Sequence, residues 1–345
     1  MTALAPSPPA SEAPAAGPGV RWLFRLHRPA LYAWIGLVAV LALVLTWLWG
    51  PLTDSAAAAW RQYRSECADG DPCTYDQNAI VRYKSVYMYA TGALTGLPFL
   101  VAAWAGASLF GRELEHGTAQ LTWTQGLSPT RWLAAKLALP TVLVGAGTGL
   151  LVTLHRLMWS AGDGRIDTAK SWSENLTLHT NGPTTVAFAL TGLAAGALAG
   201  LLLRRTLPAL TLALGFVAAM RFLADLAMPH LWPAVTRVTG LAEGYRGSGL
   251  SVDSGLVTST GAHIADPGCG PTAFLPACET VYADLHATGF YTTYHPESHY
   301  WPLQLTTTAL VLAVAAALAA AAFVLLRRST ATVPRAGDTG KETTA

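Results

Sequence analysis

The residues best suited to chemistry stand between two apolar runs. Glu113 and Glu115 lie two apart, and Gly117 and Thr118 follow them directly. Trp123 and Gln125 come next, then Arg131, Trp132 and Lys136. Carboxylates, indoles and cations at this density suit protein recognition more than bond making. Trp and Arg are the side chains that most often anchor interfaces. The carboxylates have a second reading, internal pairing with Arg112 or Arg131, and the sequence leaves both open.

No grouping elsewhere supports catalysis. The chain has no Gly-x-x-x-x-Gly-Lys-Ser/Thr phosphate loop, no Cys-x-x-Cys and no His-Glu-x-x-His. A nucleotide site of the first kind is therefore absent. The Ser, His and Asp residues of the polar segments share no catalytic motif, so no catalytic residue is expected. His295 and His299 have a spacing that could hold a metal on a helix. Pro296 opposes that helix and no third ligand is evident, so no metal and no cofactor are expected.

The composition defines the setting. Of 345 residues, 52% are hydrophobic and 12% charged, with a mean hydropathy of +0.36. Soluble domains carry about 25% charged residues. Uncharged runs reach the length of about 20 residues that a helix needs to cross a bilayer. The expected fold class is all-α, a polytopic membrane protein with six spans near 31–49, 86–110, 137–154, 184–203, 207–228 and 303–326. These form one domain over 21–328, between disordered tails at 1–20 and 329–345. Polar segments 50–85, 155–183 and 229–302 are read as loops on one side.

Several elements must position the charged stretch. Ser128 can cap a helix that starts at Pro129, where proline is favoured. That helix carries Arg131 and Lys136 directly into the third span. Gly192, Gly196 and Gly200 recur every four residues, so one face of the fourth span is almost bare backbone, suited to close helix packing. Gly92-x-x-x-Gly96 gives the second span a similar pattern. Arg221 and Asp225, four apart and of opposite sign, share a face of the fifth span. Their shallow depth favours an interfacial ion pair over a substrate or gating site. Arg21 to Arg28 interleaves Trp22, Arg25, His27 and Arg28 with apolar residues, a pattern for a helix lying along the headgroups.

Six crossings put both termini on one side. Basic residues concentrate there, in short segments such as Arg204-Arg205 and Arg327-Arg328, so the termini and 111–136 are expected to be cytoplasmic. All four cysteines fall on the other side, where disulfides persist. Cys67–Cys73 and Cys269–Cys278 are the expected pairs, because each closes a short loop. Asn175-Leu176-Thr177 matches a glycosylation sequon, a pattern that arises often by chance.

With the side assigned, the stretch resembles the permease subunits of type-2 ABC transporters, in particular six-span members from high-GC Gram-positive bacteria. The resemblance rests on Glu113-Leu114-Glu115-His116-Gly117-Thr118, Trp123-Thr124-Gln125, Arg131-Trp132-Leu133 and Lys136, with Trp22, Arg25, His27 and Arg28 near the start. It implies a permease in a bacterial plasma membrane, an exporter, docked to a separate ATPase subunit and paired with a second permease copy or paralogue. It implies that 111–136 couples ATP hydrolysis to the spans, and that Arg21 to Arg28 is a connecting helix beside the docking area. Its partners are then the ATPase, the second permease and the bilayer, with no nucleic acid. The rival readings are a non-transport scaffold or sensor with disulfide-bonded outer loops and an intramembrane enzyme using outer-loop histidines.

Overall fold

The computed structural model describes residues 28–67, 73–119, 128–167, 169–268 and 276–331. Six helices are long and apolar enough to cross a membrane. The two longest far exceed the expected spans. Helix α1 (Arg28–Trp47) passes through a π-helical turn, Leu48–Leu52, into α2 (Thr53–Glu66), a continuous 39 residues. Helix α3 (Gln77–Trp104) passes through a second π turn, Ala105–Gly111, into the short α4 (Arg112–Glu115), again 39 residues. At 1.5 Å per residue each is about 58 Å long, roughly twice the hydrocarbon core. Segment 50–85 is therefore mostly helix, not a loop.

The π turn explains how Pro51 is accommodated. Proline removes a helical donor, and both the N–H and the hydroxyl of Thr53 turn back to the Leu48 carbonyl. On the far side, Asp76 caps α3 by accepting from the Ala79 N–H at 3.1 Å. Cys67 and Cys73 form a disulfide with Cα atoms 5.4 Å apart, tying the end of α2 to the approach to α3. Cys278 is also disulfide-bonded. Cys269, its expected partner, lies outside the described residues.

The remaining spans are α5 (Pro129–Gly162), α7 (Thr184–Leu203), α8 (Thr206–Ala227) and α10 (Tyr300–Ala331). Helix α7 lies at the centre of the bundle, touching α3, α5, α8 and α10. Its glycines explain that position. A Cβ on Gly192 would stand 2.6 Å from the Pro98 carbonyl oxygen. One on Gly196 would stand 2.6 Å from both the Ala105 Cβ and the Gly106 nitrogen, and one on Gly200 2.6 Å from the Phe110 Cβ. The backbones of α7 and α3 thus approach along the glycine stripe, and the π turn is part of that contact. Gly92 and Gly96 behave differently: both face open space, so their pattern marks no helix contact among the described residues of this chain.

Two features lie toward the other membrane face, called the sheet side below. A one-and-a-half-turn helix, α6 (Asn175–Thr180), dips into the bundle. Between α8 and α10 the chain builds β1 (Val235–Gly240), β2 (Leu250–Thr258), β3 (His263–Ile264), α9 (Pro276–Asp284) and β4 (Ala287–His295). The strands form one antiparallel sheet in the order β1-β4-β2-β3, with Val235 opposite Tyr294 and Leu256 opposite Phe290. Leu256, Cys278, Tyr282 and Phe290 form its own small core. The sequence had marked 229–302 only as a polar loop. Burial and the neighbouring Asp266 carboxylate raise the Tyr245 phenol well above its usual range, and the two share a 2.6 Å hydrogen bond.

Candidate coupling site on the connector

The charged stretch begins as a continuation of α3. The π turn rotates the last helical residues so that α4 projects Glu113 and Glu115 toward different neighbours. His116 ends α4, its backbone N–H and its Nδ1–H both donating to the Arg112 carbonyl. Gly117 follows with φ 70°, the left-handed geometry that glycine adopts cheaply after a helix end. The Thr118 hydroxyl donates to the Glu113 carbonyl at 3.2 Å, satisfying one of the orphan acceptors of that end.

Glu113 reaches α5. Its carboxylate pairs with Lys136, whose side chain is only 2% exposed against 23% for Glu113. The Lys136 ammonium also donates to the Leu109 carbonyl at 2.9 Å. It lies 5.0 Å from the Trp132 ring and 5.6 Å from the Phe110 ring. The two rings meet edge-on at 6.0 Å. A buried cation is costly unless paired and hydrogen-bonded, and here every part of the ammonium's surroundings answers that cost.

Glu115 reaches α8. Its Oε2 accepts from the Thr206 backbone N–H at 2.9 Å and from the Thr206 hydroxyl. Thr206 opens α8, where backbone donors lack helical partners and negative charge is favoured. Only Arg204, in the left-handed region at φ 50°, and Arg205 separate α7 from α8. Gly106 and Gly111 let the π turn sit directly against this elbow: a Cβ on Gly106 would stand 2.9 Å from the Ala209 carbonyl oxygen.

The first turn of the connector is therefore fixed to three spans: covalently to α3, by Glu113 to α5 and by Glu115 to α8. The pairing alternative left open by the sequence named Arg112 or Arg131, and both are exposed instead. Trp132 is 2% exposed and packs inside, so it is no surface anchor in this chain. Ser128 caps α5 as expected, accepting from the Arg131 N–H at 3.4 Å with Pro129 in the first turn. Trp123 and Gln125 lie outside the described residues, as do Trp22, Arg25 and His27; Arg28 is exposed at the start of α1.

A family model for ABC-2 membrane transporter related proteins matches residues 35–228. That match takes in more than half of the chain, including the connector and the elements from α1, entered at residue 35, through α8. The chain belongs to the ABC-2 membrane transporter related family. No curated protein and no solved structure matches it. As an ABC-2-type permease it is a multi-pass membrane component of a transporter, not itself the catalytic subunit, and the family works with an ATPase subunit. The sheet and α10 fall beyond the matched residues.

The permease also holds a buried polar layer that the sequence reading missed. His155 on α5 bonds to Thr91 on α3 at 2.8 Å and to Asn181 after α6 at 2.5 Å. Tyr87 and Thr177 meet at 2.8 Å, and Gln304 on α10 bonds to both Thr184 and the Leu178 carbonyl. His179 lies 2.7 Å from Asp225, with Arg221 3.6 Å from the same carboxylate and 2.8 Å from Asn175. Arg221 and Asp225 thus act within a network that pins α6, rather than as an isolated pair. The only advance signal was the density of Asn, Thr and His in 175–185.

His295 and His299 form a hydrogen-bonded pair. Their Nδ1 atoms stand 3.1 Å apart and their ring centroids 5.4 Å apart, so the rings point at each other. His295 Nε2 bonds to the Pro229 carbonyl at 2.9 Å, joining the end of β4 to the end of α8. Among the described residues, no group of three or more His, Cys, Asp or Glu side chains is placed to hold a metal.

Proposed function

We propose that this chain is the permease subunit of an ABC exporter in a bacterial plasma membrane, and that residues 111–136 couple the ATPase subunit to the spans. The observation that carries the proposal is the anchoring of one short turn to three spans, through Glu113–Lys136 and Glu115–Thr206. A displacement imposed on such a turn moves α3, α5 and α8 together, whereas a floppy loop would absorb it. In this reading Glu113 and Glu115 transmit force. Gly117, Thr118, Trp123, Gln125 and Arg131 belong to the surface that meets the ATPase, with Arg21 to Arg28 beside it. Trp132 supports the turn from inside.

Both termini and the connector are cytoplasmic in this arrangement, and the sheet and the cysteines lie outside. The basic-residue asymmetry and the Cys67–Cys73 disulfide support that side assignment. The permease pairs with a second copy or a paralogue to enclose the translocation path.

The test is co-purification with an ABC ATPase subunit from the source cells, together with ATPase stimulation in reconstituted vesicles. The double variant Glu113→Ala, Glu115→Ala is expected to insert and to bind the ATPase while losing most of the stimulation. Normal stimulation in the double variant would remove both carboxylates from the coupling route. Failure of the wild-type chain to retain any ABC ATPase would remove the exporter reading itself.

A further inference from the structure

At the sheet-side end of α5 the chain holds an aromatic box around one cation. Arg156 lies one turn before Trp159, just past the expected end of the third span. Its guanidinium carbon stands 4.7 Å from the Tyr300 ring centroid and 4.6 Å from that of Trp301. A cavity of about 80 Å³ opens beside it, lined by Arg156, Trp159, Trp172, Glu297, Tyr300 and Trp301. One water needs roughly 10–15 Å³ by this measure, so the space admits a group the size of a phosphate.

The walls are fixed. The Trp159 indole N–H donates to the Lys170 carbonyl at 2.8 Å. Trp172 meets Tyr300 edge-on at 6.0 Å, and Tyr300 meets Trp301 edge-on at 5.3 Å.

The polar groups inside are unfinished. Arg165, Arg221 and Arg246 each sit beside a carboxylate, and among the described residues Arg156 does not. The Tyr300 hydroxyl is buried beside the Arg156 guanidinium, with no hydrogen bond to any other described group. A stacked guanidinium keeps its N–H edge free for an anion, and a planar fork suits phosphate oxygens. Glu297 adds one exposed carboxylate at the rim. Indole faces and a carboxylate together suit an ammonium.

The geometry points to a binding site for a zwitterionic phospholipid headgroup, with phosphate on Arg156 and Tyr300 and ammonium beside the Glu297 carboxylate at the rim. The membrane level selects a lipid over a soluble phosphate compound. Trp301 is 48% exposed at the start of an apolar span, and Trp47 and Trp49 are 46% and 44% exposed at the sheet-side end of α1. Such tryptophans mark the headgroup zone. The inference does not depend on which cargo the permease carries or on its ATPase.

Native mass spectrometry of the full chain, purified in detergent and stripped of lipid, tests this. Phosphatidylethanolamine and phosphatidylglycerol with the same acyl chains are added separately. Wild type is expected to retain the ethanolamine lipid preferentially. Arg156→Gln should weaken retention about tenfold or more, the weight of a charge-assisted hydrogen bond. Glu297→Gln should keep phosphate binding and lose the preference between the two lipids. If Arg156→Gln does not fold, the exposed Glu297 variant decides alone. Unchanged retention in Arg156→Gln, or an unchanged preference in Glu297→Gln, overturns the site. Displacement of the lipid by soluble phosphoethanolamine at equal concentration overturns the lipid as its source.

Discussion

Removing the Glu113 carboxylate should destabilise the permease through Lys136. The ammonium is held at 2% exposure between Phe110, Trp132 and the π turn. Breaking a buried ion pair typically costs about 3–5 kcal/mol, because the remaining charge is left uncompensated. In Glu113→Ala the ammonium keeps the Leu109 carbonyl and the two ring faces, so the expected cost is the lower limit, about 3 kcal/mol. Lys136→Met should cost less, about 2 kcal/mol, since Glu113 is 23% exposed and can rehydrate while only the Leu109 carbonyl loses its donor. Replacing both with Glu113→Leu and Lys136→Met removes the charge problem and leaves only that carbonyl, about 1 kcal/mol. The order of stability is therefore wild type, double variant, Lys136→Met, Glu113→Ala. Thermal unfolding followed by tryptophan fluorescence reads it, at one scan rate because membrane proteins often unfold irreversibly. At about 2 °C per kcal/mol for a large chain, Glu113→Ala should fall by roughly 6 °C. A Glu113→Ala variant as stable as wild type, or a double variant no better than Glu113→Ala, refutes the reasoning.

Two further outcomes are expected. Gly196→Leu should collapse assembly and lower the unfolding temperature, because its Cβ alone would stand 2.6 Å from Ala105 and Gly106; Gly92→Leu, facing open space, should be nearly neutral in the same gel-filtration and unfolding assays. A cysteine at Thr118, in a background without native cysteines, should resist an impermeant thiol reagent in intact cells, while one at Ser171 should label; the reverse pattern inverts the membrane orientation.

How much of the site was legible varies by residue. The cap at Ser128 and the start at Pro129 were readable because both act within one helical turn. Gly117 was visible as part of a motif, and its left-handed backbone gives that glycine a physical reason. The carboxylates were identified but their partners were not. Lys136 is 23 positions from Glu113, and Thr206 is 91 from Glu115. Trp132 was read as a surface anchor because indoles anchor interfaces, yet α5 turns that face inward against Phe110. The polar layer around α6 looked like a soluble loop, since nothing local says that Asn181 will meet His155 inside a bundle. The sheet was missed although Phe290 to Tyr294 is rich in aromatic and β-branched residues; its pairing joins residues as distant as Val235 and Tyr294.

The sequence by itself determined the number of crossings, the position of the glycine-faced helix and the start of α5. These follow from interactions within a few residues: apolar runs long enough to span, a fourfold glycine repeat, a cap and a proline. Only the tertiary structure decided what those elements touch. It set the two π turns that extend α1 and α3 past the expected spans, turned Glu113 and Glu115 toward separate helices, and drew α6 into the bundle. Each of these depends on packing between segments far apart in the chain, where the free energy of burial and pairing, not local propensity, fixes the outcome.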